Sequence, residues 1–432
     1  MLEIIWREDV LSRISLRHLI IWAMFAVSSA ITSIGIFVSF RFLLLEGWAL
    51  IQRIGIPLYV IPFAGAFVCG LVIYKIDEES AGEGIPRYLV SVNTKNGYFP
   101  FLPSTLKYFA ALVTLVTGNS GGIVGPLVRV NAGFMSFLTN LFLKVGLTEK
   151  DRRTSAICGV AGIFAVIFHT PIAGGLFAVE VLKRAKMGYL DLFPAILSSC
   201  FAVALCKRWD IAPFYSIYTK NDFLSHEALI WIPLIGLVTG YGGLFYSKFY
   251  SWIRHVMGRD QLKLRYMLLS ALVISGVAFA GGESLMGTSL ILFAKISKGE
   301  LINIFTSQMY GGAAITLLVL AVLKAITNCI TVGSGLSAGF TGPAFLIGLL
   351  LAASLADLVG IEIDSVTYYG FLAAGMSGFL SSSMNVPLAA AVMGAEVFGS
   401  QYSFPAATSA IIAFQIARGE TMYVHQFDDL DK

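Results

Sequence analysis

This sequence predicts an all-α polytopic membrane protein made of two inverted-topology repeats with broken, re-entrant helices. Three observations carry that prediction: an apolar composition, long uncharged stretches, and a second half that repeats the first. The chain has 432 residues, 57% hydrophobic and 13% charged, with a mean hydropathy of +0.79. Soluble domains carry about a quarter charged residues. Stretches free of Asp, Glu, Lys and Arg run 19–40, 54–74, 108–128, 154–179, 228–247, 301–323, 325–356, 365–395 and 397–417. A spanning helix needs about 20 mostly apolar residues. None of these stretches shows the strict alternation of barrel strands, so helices must satisfy the backbone within lipid.

The repeat is visible at a nearly constant spacing. CGVAGIFAVIFHTPIAGGLFAVEV at Cys158–Val181 matches AGMSGFLSSSMNVPLAAAVMGAEV at Ala374–Val397 with an offset of 216. Gly159 meets Gly375, Gly162 meets Gly378, Pro171 meets Pro387, and Glu180 meets Glu396. GNSGGIVGPLV at Gly118–Val128 matches GLSAGFTGPAF at Gly335–Phe345 with an offset of 217. Each half therefore writes a glycine-rich break and then a Pro-interrupted helix. Duplicated halves with broken helices place a substrate site between them, near mid-membrane. The stretch 325–356 is too long and glycine-rich for one straight helix. It reads as a span, an irregular turn at Gly333–Gly342, and a helix opening near Pro343, where proline sacrifices no hydrogen bond.

The expected organisation is a cytoplasmic N-terminal segment at 1–17, a first repeat at 18–210, a second at 211–423, and a tail at 424–432. Arg7, Arg13 and Arg17 precede the first span without a cleavage site, which argues against a removable signal. Only nine residues follow Tyr423, so no soluble regulatory domain is expected. Positive clusters at Lys183, Arg184 and Lys186, and at Arg254, Arg259, Lys263 and Arg265, mark cytoplasmic edges or balance anionic headgroups. Nothing in the pattern suggests nucleic acid. Cys69, Cys158, Cys200, Cys206 and Cys329 have no metal-ligand spacing and read as buried small apolar residues.

Chemistry is expected at the breaks. Gly82–Pro86 reads GEGIP, Gly121–Pro126 reads GGIVGP, and Gly339–Pro343 reads GFTGP. In each, glycines deliver the chain to a helix start, where unpaired N–H groups and the dipole attract anions without a full positive charge. A weakly held ion can leave again, as conduction requires. Tyr423 follows the last long apolar stretch.

These motifs resemble those of the CLC family of chloride channels and proton-coupled chloride exchangers. GEGIP is similar to the family's GSGIP, GGIVGP stands at its GREGP, and GFTGP resembles its GxFxP. HTPIAGGLFAVE at His169–Glu180 resembles the helix after the second motif, and Tyr423 the late tyrosine that faces the central ion. The resemblance implies a multi-pass protein of a prokaryotic inner membrane, a homodimer with one pore per subunit, and small inorganic anions, chloride by default, as partners beside the bilayer. It implies an ion site of Gly82, Glu83, Gly84, Ile123, Val124, Gly125, Phe340, Thr341 and Tyr423. No enzyme activity, catalytic residue, metal or cofactor is expected.

Three departures shape the functional expectation. Val124 stands where exchangers carry the gating glutamate, and Val181 where they carry the inner proton-relay glutamate. Both favour a channel or a carrier uncoupled from protons. Glu83 replaces the serine that coordinates the central anion, and an ionised carboxylate there repels anions by several kcal/mol at low dielectric. Glu83 is thus either a helix cap or a titratable gate that fills an anion site itself. A proton-linked transporter using Glu83, or a fluoride- or nitrate-type variant, are the alternatives.

Other residues have quieter readings. Glu180 and Glu396, at one repeat position, are expected to bond backbone groups and hold the halves alike. His169 is expected to be a neutral imidazole satisfied by a carbonyl. Lys324 reads as a span boundary or a snorkelling side chain. Asp77, Glu78 and Glu79 suggest a polar entrance. GNSGG at Gly118–Gly122 also fits an intramembrane serine protease with Ser120 as nucleophile and His169 as base. The repeat argues against it, because Asn385 replaces histidine beside the matching Ser337.

Overall fold

The structure, a computed structural model, describes residues 16–182, 188–215, 217, 226–257, 264–297 and 313–423. Arg7, Arg13, Lys183, Arg184, Lys186, Arg259, Lys263 and the tail at 424–432 lie outside the described residues. The first half folds as α1 (Leu16–Ile54), α2 (Ile61–Lys75), α3 (Ile85–Thr94), α4 (Phe101–Val116), α5 (Val124–Phe142), α6 (Glu149–Phe168), α7 (Ala173–Glu180) and α8 (Tyr189–Arg208). The second repeats the order as α9 (His226–Met257), α10 (Leu264–Val277), α11 (Leu290–Ser297), α12 (Ala313–Gly333), α13 (Thr341–Leu358), α14 (Val366–Met384), α15 (Pro387–Phe398) and α16 (Ser403–Ala417). The fold is all-α, with two inverted repeats.

Uncharged stretches map onto this pattern with a lesson. The stretch 108–128 is the end of α4, a break, and the start of α5, while 154–179 holds α6 and α7. The stretch 325–356 breaks between Gly333 and Thr341, as its glycines predict. The breaks are twinned: α6 ends on His169 at φ +57° and α14 on Asn385 at φ +60°, both left-handed helix caps.

Small residues let the helices of each half approach closely. A methyl group on Gly375 would sit 2.4 Å from the Gly348 carbonyl, and one on its mate Gly159 would sit 3.0 Å from the Asn131 carbonyl. The largest buried apolar cluster runs through both halves, from Ala30 on α1 to Tyr423. Large apolar side chains such as Ile20, Met24, Phe42, Phe245 and Trp252 face outward, as a lipid-facing surface requires.

The two halves are stitched by reciprocal bonds. Glu396 accepts the Ile172 and Ala173 N–H groups at 2.8 and 2.9 Å, capping the start of α7. Glu180 accepts the Leu388 and Ala389 N–H groups at 3.0 and 2.7 Å, capping the start of α15. Each carboxylate thus complements the helix dipole of the opposite repeat. At the centre, Gly122 and Gly339 exchange N–H···O bonds of 2.9 and 2.8 Å.

Candidate ion site

The Glu83 carboxylate lies where three helix starts approach one another. Gly82, at φ +62°, turns the chain into the break. Gly84 then packs backbone to backbone on α5, where a methyl group would lie 1.9 Å from the Gly125 carbonyl. Only glycine fits that approach. Glu83 itself is 5% exposed. Its Oε2 accepts the Ile85 N–H at 3.1 Å, its Oε1 accepts the Tyr423 hydroxyl at 3.3 Å, and the Phe340 N–H bonds it as well. A methyl group on Gly125 would meet Oε1 at 2.4 Å, so the carboxylate also rests on the first turn of α5. Glu83 is therefore a cap of α3 and, at once, the group on which α3, α13 and Tyr423 converge.

The segment leading into Tyr423 is held in place by its backbone and side-chain bonds. The Met422 N–H and the Thr421 hydroxyl both donate to the Ser383 carbonyl, at 2.9 and 3.2 Å, pinning the segment to the end of α14. The Phe340 ring packs edge-on to Tyr250 and Tyr246 at 4.6 and 6.0 Å. Tyr246 donates to the Asn328 side chain, whose Nδ2 donates in turn to the Ser120 and Gly339 carbonyls at 3.4 and 3.3 Å.

Two buried cations support the break. Lys107, on α4, is fully buried and donates to the Ser80 and Ala81 carbonyls at 3.0 and 3.2 Å and to that of Gly82. Its ammonium also attracts the Glu83 carboxylate. Arg129, on α5, donates to the Glu79 carbonyl at 2.9 Å and pairs with the Glu79 carboxylate at 3.0 Å. Asp77 caps the single turn at Glu78–Ser80 by accepting the Glu79 N–H at 3.3 Å. Asp77 and Glu79 thus shape the loop as well as making it polar.

Comparison with known proteins decides the family. The voltage gated chloride channel family matches residues 65–418. The chain belongs to that family. An uncharacterised protein of Methanocaldococcus jannaschii is 28% identical over 83% of this chain and 85% of its own. A chloride/fluoride channel protein of Pseudomonas syringae pv. tomato is 24% identical over 85% of this chain and 77% of its own. A CLC-type fluoride/proton antiporter structure superposes with a TM-score of 0.80 at 22% identity, covering 96% of this chain and 99% of that one. This CLC protein is accordingly an integral membrane protein of an anion-transport family.

Within it, the structure brings together Gly82, Glu83, Gly84, Gly125, Phe340 and Tyr423, with Ile123 and Val124 at the start of α5 and Thr341 opening α13. Val181 lies elsewhere. It ends α7, and its neighbour Leu182 accepts from Asn93 at 3.0 Å. Asn93 stands eight residues into α3, roughly 12 Å along the helix from Ile85.

Lys324 corrects an expectation: it is neither a boundary nor snorkelling. It is fully buried, and its ammonium donates to the Ser120 hydroxyl at 2.9 Å and to the Leu285 and Gly287 carbonyls at 3.1 Å. The Thr327 hydroxyl also donates to Ser120, at 3.1 Å. His169 is not bonded to Ser120; its ring bonds the Ile211 backbone and its Nε2 has no hydrogen-bond partner among the described residues. Cys200 is half-buried rather than buried, and all five cysteines are free thiols.

Proposed function

We propose that this protein passes small anions, chloride by default, through a pore in each subunit of a homodimer, without fixed coupling to protons, and that the Glu83 carboxylate is its gate. One observation carries the reading: Glu83 accepts from the Ile85 and Phe340 N–H groups and from Tyr423. The family resemblance implies that the Phe340 N–H lies among the groups around the ions and that the Tyr423 hydroxyl donates to the central one. An ionised Glu83 occupies the site as a tethered anion. A protonated Glu83 loses the charge that excludes a free one, and its hydroxyl can donate to that ion as serine would.

The uncoupled form is favoured by the fate of the acids. Val124 and Val181 cannot carry protons, and Glu180, beside Val181, has both oxygens committed to capping α15. A transport rather than enzymatic role is favoured by Ser120, whose hydroxyl accepts from Lys324 and Thr327 instead of facing His169. The test is flux from liposomes of purified protein under chloride, fluoride, nitrate and bicarbonate gradients. Anion efflux that dissipates without a set proton ratio supports the proposal. Cation flux, or no flux at any pH, contradicts it.

A further inference from the structure

The second repeat contains a counterpart of the Glu83 site. The Gly82 N–H donates to the Gly335 carbonyl and the Gly287 N–H to the Gly118 carbonyl, each at 2.9 Å. Gly118 and Gly335 are repeat mates, so Gly82 and Gly287 are mates too, and both have positive φ, +62° and +54°. Three residues later α3 opens at Ile85 and α11 at Leu290. Glu83 therefore corresponds to Thr288 and Gly84 to Ser289. Lys107 and Lys324 stand 217 residues apart, the spacing of Gly118 and Gly335. Gly342 is the mate of Gly125. A methyl group on Gly125 would lie 2.4 Å from Glu83 Oε1, and one on Gly342 would lie 2.4 Å from the Tyr215 hydroxyl.

What differs is the charge. Lys107 faces Glu83, whereas no carboxylate among the described residues interacts with the buried Lys324. The hydroxyls of Tyr215 and Ser289, 2% and 4% exposed, have no hydrogen-bond partner among the described residues. Each such buried orphan calls for a partner that the described residues do not supply. The Leu290 N–H at the start of α11 has no intrahelical acceptor. A cation, two donor hydroxyls and a helix start select a negative ligand. A cavity of about 110 Å³ lined by Trp48, Glu283, Gly287, Thr288 and Ser289 reaches the start of α11, and the Tyr215 ring packs on Phe293 of the same helix at 4.8 Å.

We infer that Ser289, Tyr215 and the start of α11, backed by Lys324, form a second small-anion site, related to the Glu83 site by the internal symmetry and so facing the opposite side of the membrane. The inference takes its ligand class from the anion-transport reading but rests on different residues. Bromide anomalous diffraction from crystals of the full chain tests it. The parent should show bromide at Ser289 and Tyr215. Tyr215→Phe combined with Ser289→Ala should lower that occupancy at least about fivefold, and Ser289→Ala alone should lower it measurably. Glu83→Gln should keep the peak and add one beside Tyr423. No bromide at Ser289 and Tyr215 in the parent, or equal occupancy in the double variant, overturns the inference. A Glu83→Gln protein with bromide at Tyr215 but none beside Tyr423 would instead count against the gate reading and support this site.

Discussion

Replacing Lys107 with Met removes three hydrogen bonds, to the carbonyls of Ser80, Ala81 and Gly82, and an ammonium that attracts Glu83. Bonds from a charged donor contribute roughly 1.5–3 kcal/mol each. Relief from burying the lysine offsets part of that loss. Lys324→Met provides the control, because it also removes three bonds from a fully buried lysine but faces no described carboxylate. The difference between the variants isolates the attraction for Glu83. Two unit charges about 6 Å apart at an effective dielectric of about 20 attract by roughly 3 kcal/mol. Thermal unfolding of purified protein in detergent at pH 8 measures it through a double-mutant cycle with Glu83→Gln. In the Lys107→Met background, Glu83→Gln should recover most of that energy; in the Lys324→Met background it should recover almost none. Equal coupling in both backgrounds would refute the claim that Lys107 compensates Glu83.

Three further outcomes are expected. Purified protein should sediment as a dimer in mild detergent; a monomer there would contradict the homodimer. A chloride gradient in liposomes should drive no uphill proton movement, because Val124 and Val181 do not titrate, and a fixed anion-to-proton ratio would show that another acid carries the relay. Glu180→Gln should lower the unfolding temperature by several degrees through weakened capping of α15, yet leave the pH profile of flux unchanged; a flattened profile would make Glu180 part of the gate.

The repeats and the breaks were legible in the sequence because glycine and proline mark them at fixed spacing, whereas the meeting of Glu83 and Tyr423 was implied by the family resemblance. Glu180 and Glu396 were legible for the same reason, since a twinned acid at a helix end has a twinned helix start to cap. Lys107 was not. Reading the chain as uncharged stretches begins one of them at 108 and steps past it. The signal was nonetheless present, because Lys107 and Lys324 share the 217 spacing of the glycine motifs. Lys324 was misread because a lysine between two apolar stretches looks like a boundary until the carbonyls that receive it are known. Those carbonyls belong to Leu285 and Gly287, some forty residues away and across a break that carries no repeat motif of its own. Tyr215 and Ser289 have no sequence signature, because their interest lies in partners that no described residue supplies.

The central claim is that an ionised Glu83 fills the anion site and that its protonation opens the site to a free anion. An ionised carboxylate about 4 Å from a passing anion repels it by about 4 kcal/mol at an effective dielectric of about 20, or roughly a thousandfold in occupancy. Anion flux from liposomes, measured from alkaline to acid pH for the parent and for Glu83→Gln and Glu83→Ser, reads that term directly. Parent flux should rise as pH falls and the carboxylate is protonated, while both variants should stay high and nearly flat. Matching pH profiles for parent and Glu83→Gln would show that Glu83 only caps α3 and that any gate lies elsewhere.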